Sequence, residues 1–332
     1  MLIKFIIAIT VVFNSLTFPV TNLVSSVNNL PQLVKDNFLE RREVELKQLP
    51  LSLDLPAGEA GWQIQKASIS AVEQALPDFL PIRDWGIDSP EIGAKASLVF
   101  DSEKDKVLYQ EDIDQILPIA SLSKIMTALV VLENIDPEEI VLVSQQAISG
   151  YGDRGGLVVN EEIRVRSLLH ALLMESSNDA ALALAEAAEI KTGNNFVVLM
   201  NNKAKELGLK GTKFSDPSGY NSDNVSTVME IAQLVKYSFG QPLIWEIMKT
   251  PMIEMFSVDR KIRHYWINTD KLLARLENVV GGKTGYTEEA GGCLVLVVKE
   301  NNGHLISVIL GAEERFLETE RLINWVKKAY QW

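Results

Sequence analysis

Disulfides are excluded from the outset: Cys293 is the single cysteine among 332 residues, so no intrachain bridge can form and the fold must stand on its core. Histidine is nearly as scarce. His170, His264 and His304 lie far apart and, with Cys293, match no H-x-x-x-H or C-x-x-C ligand spacing, so neither a metal nor any other cofactor is expected. Positive charge is short as well. With 32 Lys and Arg against 44 Asp and Glu the net charge is −12, which opposes a phosphate-binding surface and removes nucleic acid from the expected partners. The chain shows no internal repeat, no low-complexity tract and no cysteine near its N-terminus that could carry a lipid. What remains is an ordinary globular composition, 47% hydrophobic and 23% charged, long enough for one large domain or two modest ones.

The opening M-L-I-K-F-I-I-A-I-T-V-V-F sets one positive charge before an apolar run that Asn14, Ser15, Thr17 and Pro19 interrupt. That is the pattern of a secretory signal, short for a bilayer span. A clear A-x-A cleavage site is missing, and Val24-Ser-Ser is a tolerable substitute. Residues 1–27 are therefore expected to export the chain, as a cleaved signal or as an anchor in contact with the membrane. Residues 28–88 carry Pro31, Pro50, Pro56, Pro77 and Pro81 and a charged patch from Leu39, and read as a spacer. Residues 89–332 read as the folded domain.

Within that domain A-K-A-S-L-V-F-D (Ala94 to Asp101), a polar turn and K-V-L-Y-Q-E predict a hairpin. From Ala120 to Gly240 the periodicity is helical, and Thr227 with Glu230 three residues on has capping-box spacing before I-A-Q-L-V. Strands return as P-M-I-E-M-F, paired across Ser257 to Arg260 with K-I-R-H-Y-W. A second pair, C-L-V-L-V-V-K and H-L-I-S-V-I-L-G, is joined through Glu300-Asn-Asn-Gly. A last helix over about Glu313 to Tyr330 puts Phe316, Ile323, Val326 and Tyr330 near one face, suited to packing on a sheet. The fold class is α/β in the α+β sense: one antiparallel sheet built from N- and C-terminal segments, with helices packed on it and an all-helical subdomain inserted.

Three short elements carry chemistry. In P-I-A-S-L-S-K a lysine, Lys124, follows Ser121 by one helical turn at the head of a helix that is apolar all round. Burial and a neighbouring cation would lower the amine's pKa and make it a base for the hydroxyl; alone, the pair reads equally as a capping serine and a snorkelling lysine. S-S-N, Ser176 to Asn178, occupies a polar break between two apolar helices, where a helix cap can also relay a proton and hold a carbonyl. G-G-K-T-G-Y-T, Gly281 to Thr287, enters a strand whose glycines mark close approach by a ligand or backbone. Lys283 and the Thr284 hydroxyl could there meet a terminal carboxylate while the edge pairs with an extended peptide. Singly each is weak; in this order they form the motif set of penicillin-recognising serine enzymes.

With the segments L-L-M-E-S-S-N-D-A-A-L-A-L-A, F-S-D-P-S-G-Y-N, V-S-T-V-M-E-I-A, N-T-D-K-L-L and G-G-K-T-G-Y-T-E-E-A-G-G-C-L, the chain resembles the D-alanyl-D-alanine carboxypeptidases related to low-molecular-mass penicillin-binding proteins, over about Ser89 to Leu310. The resemblance implies a β-lactamase-like fold, peptidoglycan stem peptides as substrate and β-lactams as inhibitors. It implies that residues 89–332 are the catalytic domain and act outside the cytoplasm. By resemblance Ser121 is the nucleophile and Lys124 its base, and Ser176 helps carry the proton. Asn178, Lys283, Thr284, Gly285 and Tyr286 bind substrate, with the backbone N–H groups of Ser121 and Tyr286 forming an oxyanion hole. Membrane attachment is expected only at the N-terminus, and nothing in the sequence sets an oligomeric state. A class A β-lactamase is disfavoured because no E-x-x-L-N lies between Asn178 and Lys283. A D,D-endopeptidase uses the same residues on crosslinks, and a silent wall-binding domain would have no need of two lysines converging on a hydroxyl.

Overall fold

The computed structural model describes residues 81–150, 152, 154–300 and 303–332, so the N-terminal export reading lies outside the described residues. All of them belong to the compact unit Leu76–Trp332. Its centre is an antiparallel sheet of β1 (Ala96–Asp101), β2 (Lys106–Glu111), β3 (Val279–Thr287), β4 (Gly291–Glu300) and β5 (Gly303–Ala312), ordered β3-β4-β5-β1-β2. Segments more than two hundred residues apart thus become neighbours, with Leu98 opposite Val308 and Phe100 opposite Ile306.

β4 and β5 are apolar almost without interruption because both faces are covered. Successive side chains point to opposite faces, and the contacts alternate accordingly. Val99, Leu305 and Ile309 pack with Leu322, Trp325 and Val326 of α8 (Arg315–Ala329), whereas Leu98, Phe100, Ile306 and Val308 face the helical block. The sheet-packing helix expected at the C-terminus is therefore present. Cys293 is fully buried in β4, and burial pushes its thiol up to about 11, which leaves it an inert apolar filler.

The block contains α1 (Ser123–Asn134), α2 (Gln145–Ile148), α3 (Val165–Met174), α4 (Asn178–Thr192), α5 (Phe196–Glu206), α6 (Val228–Ser238) and α7 (Pro242–Lys249). Every residue from Ser123 to Val131 is buried, because α1 is surrounded by its neighbours; each fully buried leucine or isoleucine there contributes about 1.5–3 kcal/mol. α4 ends on Gly193 in the left-handed region (φ +69°), the usual helix stop. His170 is buried on α3, with Nδ1 2.8 Å from the Arg166 carbonyl oxygen.

At α6 the capping box is half made. Thr227 Oγ1 accepts from the Glu230 N–H at 3.1 Å, but the Glu230 carboxylate turns away to accept from Gly211 N–H (2.8 Å) and the Thr212 hydroxyl (2.5 Å). Thr227→Ala should cost about 1 kcal/mol, read as a lowered denaturant midpoint with unchanged slope.

Met252–Phe256 and Arg263–Ile267 pair as the sequence predicts, yet form a two-stranded ribbon apart from the main sheet. The ribbon packs on α3 and delivers Asn268, Thr269 and Asp270 to the cleft. Ile82–Arg83, expected to be spacer, pair with Tyr330–Gln331 beyond α8, and Asp84 N–H donates to the Ala329 carbonyl at 2.7 Å.

Candidate active site

Between the first strands and α1 the chain makes a tight 3-10 turn, Ala120–Leu122, with Ala120 in the left-handed region at φ +47°. For alanine that conformation costs about 1–2 kcal/mol, so surrounding structure has to impose it. Two glycines do so by letting backbone come close. A Cβ on Gly219 would lie 1.9 Å from the Ala120 carbonyl oxygen, and one on Gly285 would lie 3.0 Å from the Ser121 nitrogen. The Ile119 N–H also donates to the Asn224 carbonyl at 3.0 Å. The result is a half-buried Ser121 between the edge strand β3 and the loop 216–224.

Lys124 is completely buried, with Nζ 2.9 Å from Ser121 Oγ, 2.7 Å from Asn178 Oδ1 and 2.6 Å from the Ser218 carbonyl oxygen. The Ser218 carbonyl is held by a network centred on Asp216, which accepts from the N–H groups of Ser218 (2.6 Å), Gly219 (2.7 Å) and Asn221 (2.8 Å) and from Asn224 Nδ2 (2.7 Å). Burial pushes the Asp216 carboxyl up, but these donors and the Ser218 hydroxyl together hold it below its ordinary value. Thr127 Oγ1 donates to the Pro217 carbonyl at 2.6 Å and ties the same loop to α1.

The second motif sits in the break between α3 and α4. Ser177 is the N-cap of α4, accepting from Ala180 N–H at 3.0 Å, which frees its neighbours to turn inward. Ser176 adopts φ +64° and lies 2.9 Å from Lys283 Nζ. Asp179 anchors the loop in front of the break by accepting from Gly155 N–H at 2.8 Å. Asn178 therefore serves Lys124 and Ser176 serves Lys283, so the second motif links the first to the third. On β3, Lys283 is 1% exposed and also donates to the Thr284 carbonyl at 2.8 Å. The Thr284 hydroxyl lies 2.6 Å from Thr269 Oγ1, Gly285 abuts the Ser121 backbone, and Tyr286 is exposed at the strand end.

All eight residues singled out from sequence are thus placed along one cleft. Four contributors were not singled out. The Ser218 carbonyl lies in F-S-D-P-S-G-Y-N, whose D-P-S-G is a turn signal. Thr269 and Asp270 lie in N-T-D-K-L-L. Arg315, at the head of α8, reaches the Gly285 carbonyl at 3.4 Å and has no local signal. Among the described residues no group of three or more His, Cys, Asp or Glu could hold a metal, and no helix is long and apolar enough to cross a membrane.

A serine hydroxyl against a buried lysine, at the seam of an antiparallel sheet and a helical block, defines a serine peptidase of the penicillin-recognising fold. The Streptomyces K15 DD-transpeptidase superposes on this chain with TM-score 0.68 at 27% identity, covering 73% of this chain and 100% of that one. The chain is 32% identical over 248 residues to the D-alanyl-D-alanine carboxypeptidase DacF of Bacillus subtilis, covering 72% of this chain and 63% of DacF, a little under two thirds of that relative's length. To the D-alanyl-D-alanine endopeptidase of Escherichia coli it is 33% identical, covering 72% of this chain and 78% of that one. The family model described as D-alanyl-D-alanine carboxypeptidase matches residues 85–314. The chain belongs to that family, and the fold class expected from sequence holds.

Proposed function

We propose that this enzyme removes the terminal D-alanine from peptidoglycan pentapeptide stems through an ester on Ser121, and that β-lactams acylate the same hydroxyl. The observation that carries the reading is the set of acceptors around Lys124. An amide oxygen at 2.7 Å and a carbonyl oxygen at 2.6 Å can only accept, whereas the amine position toward Ser121 Oγ at 2.9 Å faces a hydroxyl that can also donate. In the neutral amine that position holds the lone pair, aimed at the Ser121 proton.

Ser121 Oγ then bonds to the carbonyl carbon between the two D-alanines as its proton passes to Lys124, and the new oxyanion is met by the backbone N–H groups of Ser121 and Tyr286. The C–N bond breaks, and Lys124 and Ser176 return the proton to the leaving amine. Water next splits the ester, restoring Ser121 and releasing the shortened stem. Lys283, Thr284 and Gly285 hold the departing carboxylate end, and Asn178 orients both Lys124 and the acyl chain. The catalytic domain expected at 89–332 takes in Ile82–Arg83 as well through their pairing with Tyr330–Gln331, residues 1–27 are the export signal or anchor and the stretch from 28 up to that pairing is the spacer, so the reaction takes place on the wall side of the membrane.

A second reading is cleavage of crosslinks, favoured by the name of the Escherichia coli relative. The full chain and Ser121→Ala, each given an acyl-Lys-D-Ala-D-Ala peptide and a crosslinked muropeptide, separate the two. Release of D-alanine by the parent and none by Ser121→Ala is expected. Cleavage of the crosslinked substrate alone would establish the endopeptidase, and cleavage of neither would sink both.

A further inference from the structure

We propose that Asp270 is a positioning residue for substrate capture: its carboxylate is buried behind the third motif and sets how much positive potential Lys283 and Arg315 present to the substrate's terminal carboxylate. The proposal rests on the reading that a carboxylate-ended peptide is held at Lys283 and Thr284.

Asp270 is 4% exposed and caps the 3-10 turn Lys271–Ala274, with Oδ1 accepting from Leu272 N–H at 2.9 Å. Its own N–H donates to Asn268 Oδ1 at 2.9 Å. Oδ2 is different. It is buried with no hydrogen-bond partner, and a Cβ on Gly282 would come within 2.3 Å of it. The free oxygen therefore lies against the α-carbon of Gly282, one residue before Lys283, and only glycine leaves room for it. Capping alone needs one oxygen, which asparagine supplies equally well. An ionisable second oxygen buried without a donor costs stability, and the cap does not require it.

Two cations act on that charge, Lys283 from β3 and Arg315 from the start of α8, while Lys271 of the same turn extends over Phe316. Burial pushes the Asp270 carboxyl up to about 6, against the opposing pull of the Leu272 N–H, Lys283 and Arg315. Below that pH the carboxyl is neutral and both cations act at full strength on an incoming carboxylate. Above it the anion offsets part of their potential. Capture of a carboxylate-ended peptide should weaken as pH rises through about 6.

The sign for stability is the same. A carboxyl raised from its ordinary value of 3.8 stabilises the fold fully below that value and loses this contribution as pH rises through about 6. Asp270→Asn keeps the Leu272 cap and removes the charge.

The test measures KM and kcat for D-alanine release from acyl-Lys-D-Ala-D-Ala between pH 5 and 8.5 on the full chain and on Asp270→Asn, with thermal midpoints beside them. The parent's KM should rise about three- to tenfold across the range, the variant's should stay near the parent's low-pH value, and the variant's midpoint should exceed the parent's only at the alkaline end. Superposing KM profiles would overturn the proposal, as would a midpoint lowered at every pH with KM unmoved, which marks a purely structural cap. Loss of the functional reading shows differently, as absence of release by the parent or equal release by Ser121→Ala, and takes this inference with it.

Discussion

Lys124→Met is expected to slow acylation of Ser121 by labelled penicillin roughly 10²–10⁴-fold, the usual worth of a positioned base, while the protein stays folded. Methionine matches the unbranched stem that fills the core of α1, so no cavity opens. Asn178 Oδ1 and the Ser218 carbonyl lose a donor, about 1–3 kcal/mol each, but the cost of burying an amine disappears with it, and the two changes oppose one another. Arginine at the same place separates charge from proton transfer. A guanidinium keeps the positive charge but does not give up its proton, so Lys124→Arg should be as slow as methionine if the amine acts as a base. Lys283 has its own acceptors in Ser176 Oγ and the Thr284 carbonyl. Acylation of Lys124→Met within tenfold of the parent, at an unchanged unfolding midpoint, would show that another group takes the proton.

Neutral oxygen atoms lie at hydrogen-bond distance from both lysines of the cleft. Lys124 meets an amide, a carbonyl and a hydroxyl; Lys283 meets a hydroxyl and a carbonyl. Neutral acceptors satisfy N–H groups without placing a full negative charge beside the amine. The acids nearby stand one step back. Asp216 orients the Ser218 loop, Asp179 orients the loop before α4, and Glu175 beside Ser176 accepts from Ile267 N–H, with burial pushing its carboxyl above the ordinary value. Asp270 belongs to the same outer ring.

How far the sequence displayed this arrangement depends on distance along the chain. The helices were legible because their apolar periodicity is local, and α1 to α6 all fall within the Ala120–Gly240 stretch that the pattern marks. The hairpins were legible from polar turns between apolar runs. Ser121 and Lys124 could be paired because one helical turn separates them. Lys124 and the Ser218 carbonyl are 94 residues apart, and nothing in either neighbourhood records the meeting. The same holds for Thr269 with Thr284 and for Arg315 with Gly285. Glu230 shows the reverse failure. Its spacing from Thr227 is right for a reciprocal cap, but Gly211 and Thr212, brought in by the fold, compete for its carboxylate and win. Backbone strain at Ala120 and Ser176 was invisible too, since neither residue type favours positive φ and tertiary contacts impose it.

That strain makes Gly219 the most exacting position in the cleft. It has φ +78°, and an added Cβ would stand 1.9 Å from the Ala120 carbonyl oxygen, 2.5 Å from its carbon and 3.0 Å from the Ser121 nitrogen. All three are backbone atoms, so no rotamer change can relieve the contact, and the turn that carries Ser121 has to move. Gly219→Ala should therefore lose acylation by more than about 10²-fold, the cost of a displacement near 1 Å at a reacting centre. The conformational penalty alone is smaller. Gly193→Ala carries it without the collision, since Gly193 has φ +69° and nothing within 4 Å of an added Cβ, and should cost about 1 kcal/mol of stability while acylation by labelled penicillin is retained. If Gly219→Ala behaved like Gly193→Ala in both acylation rate and unfolding midpoint, the close packing of the 216–219 loop on Ala120 would not be what holds Ser121 in place.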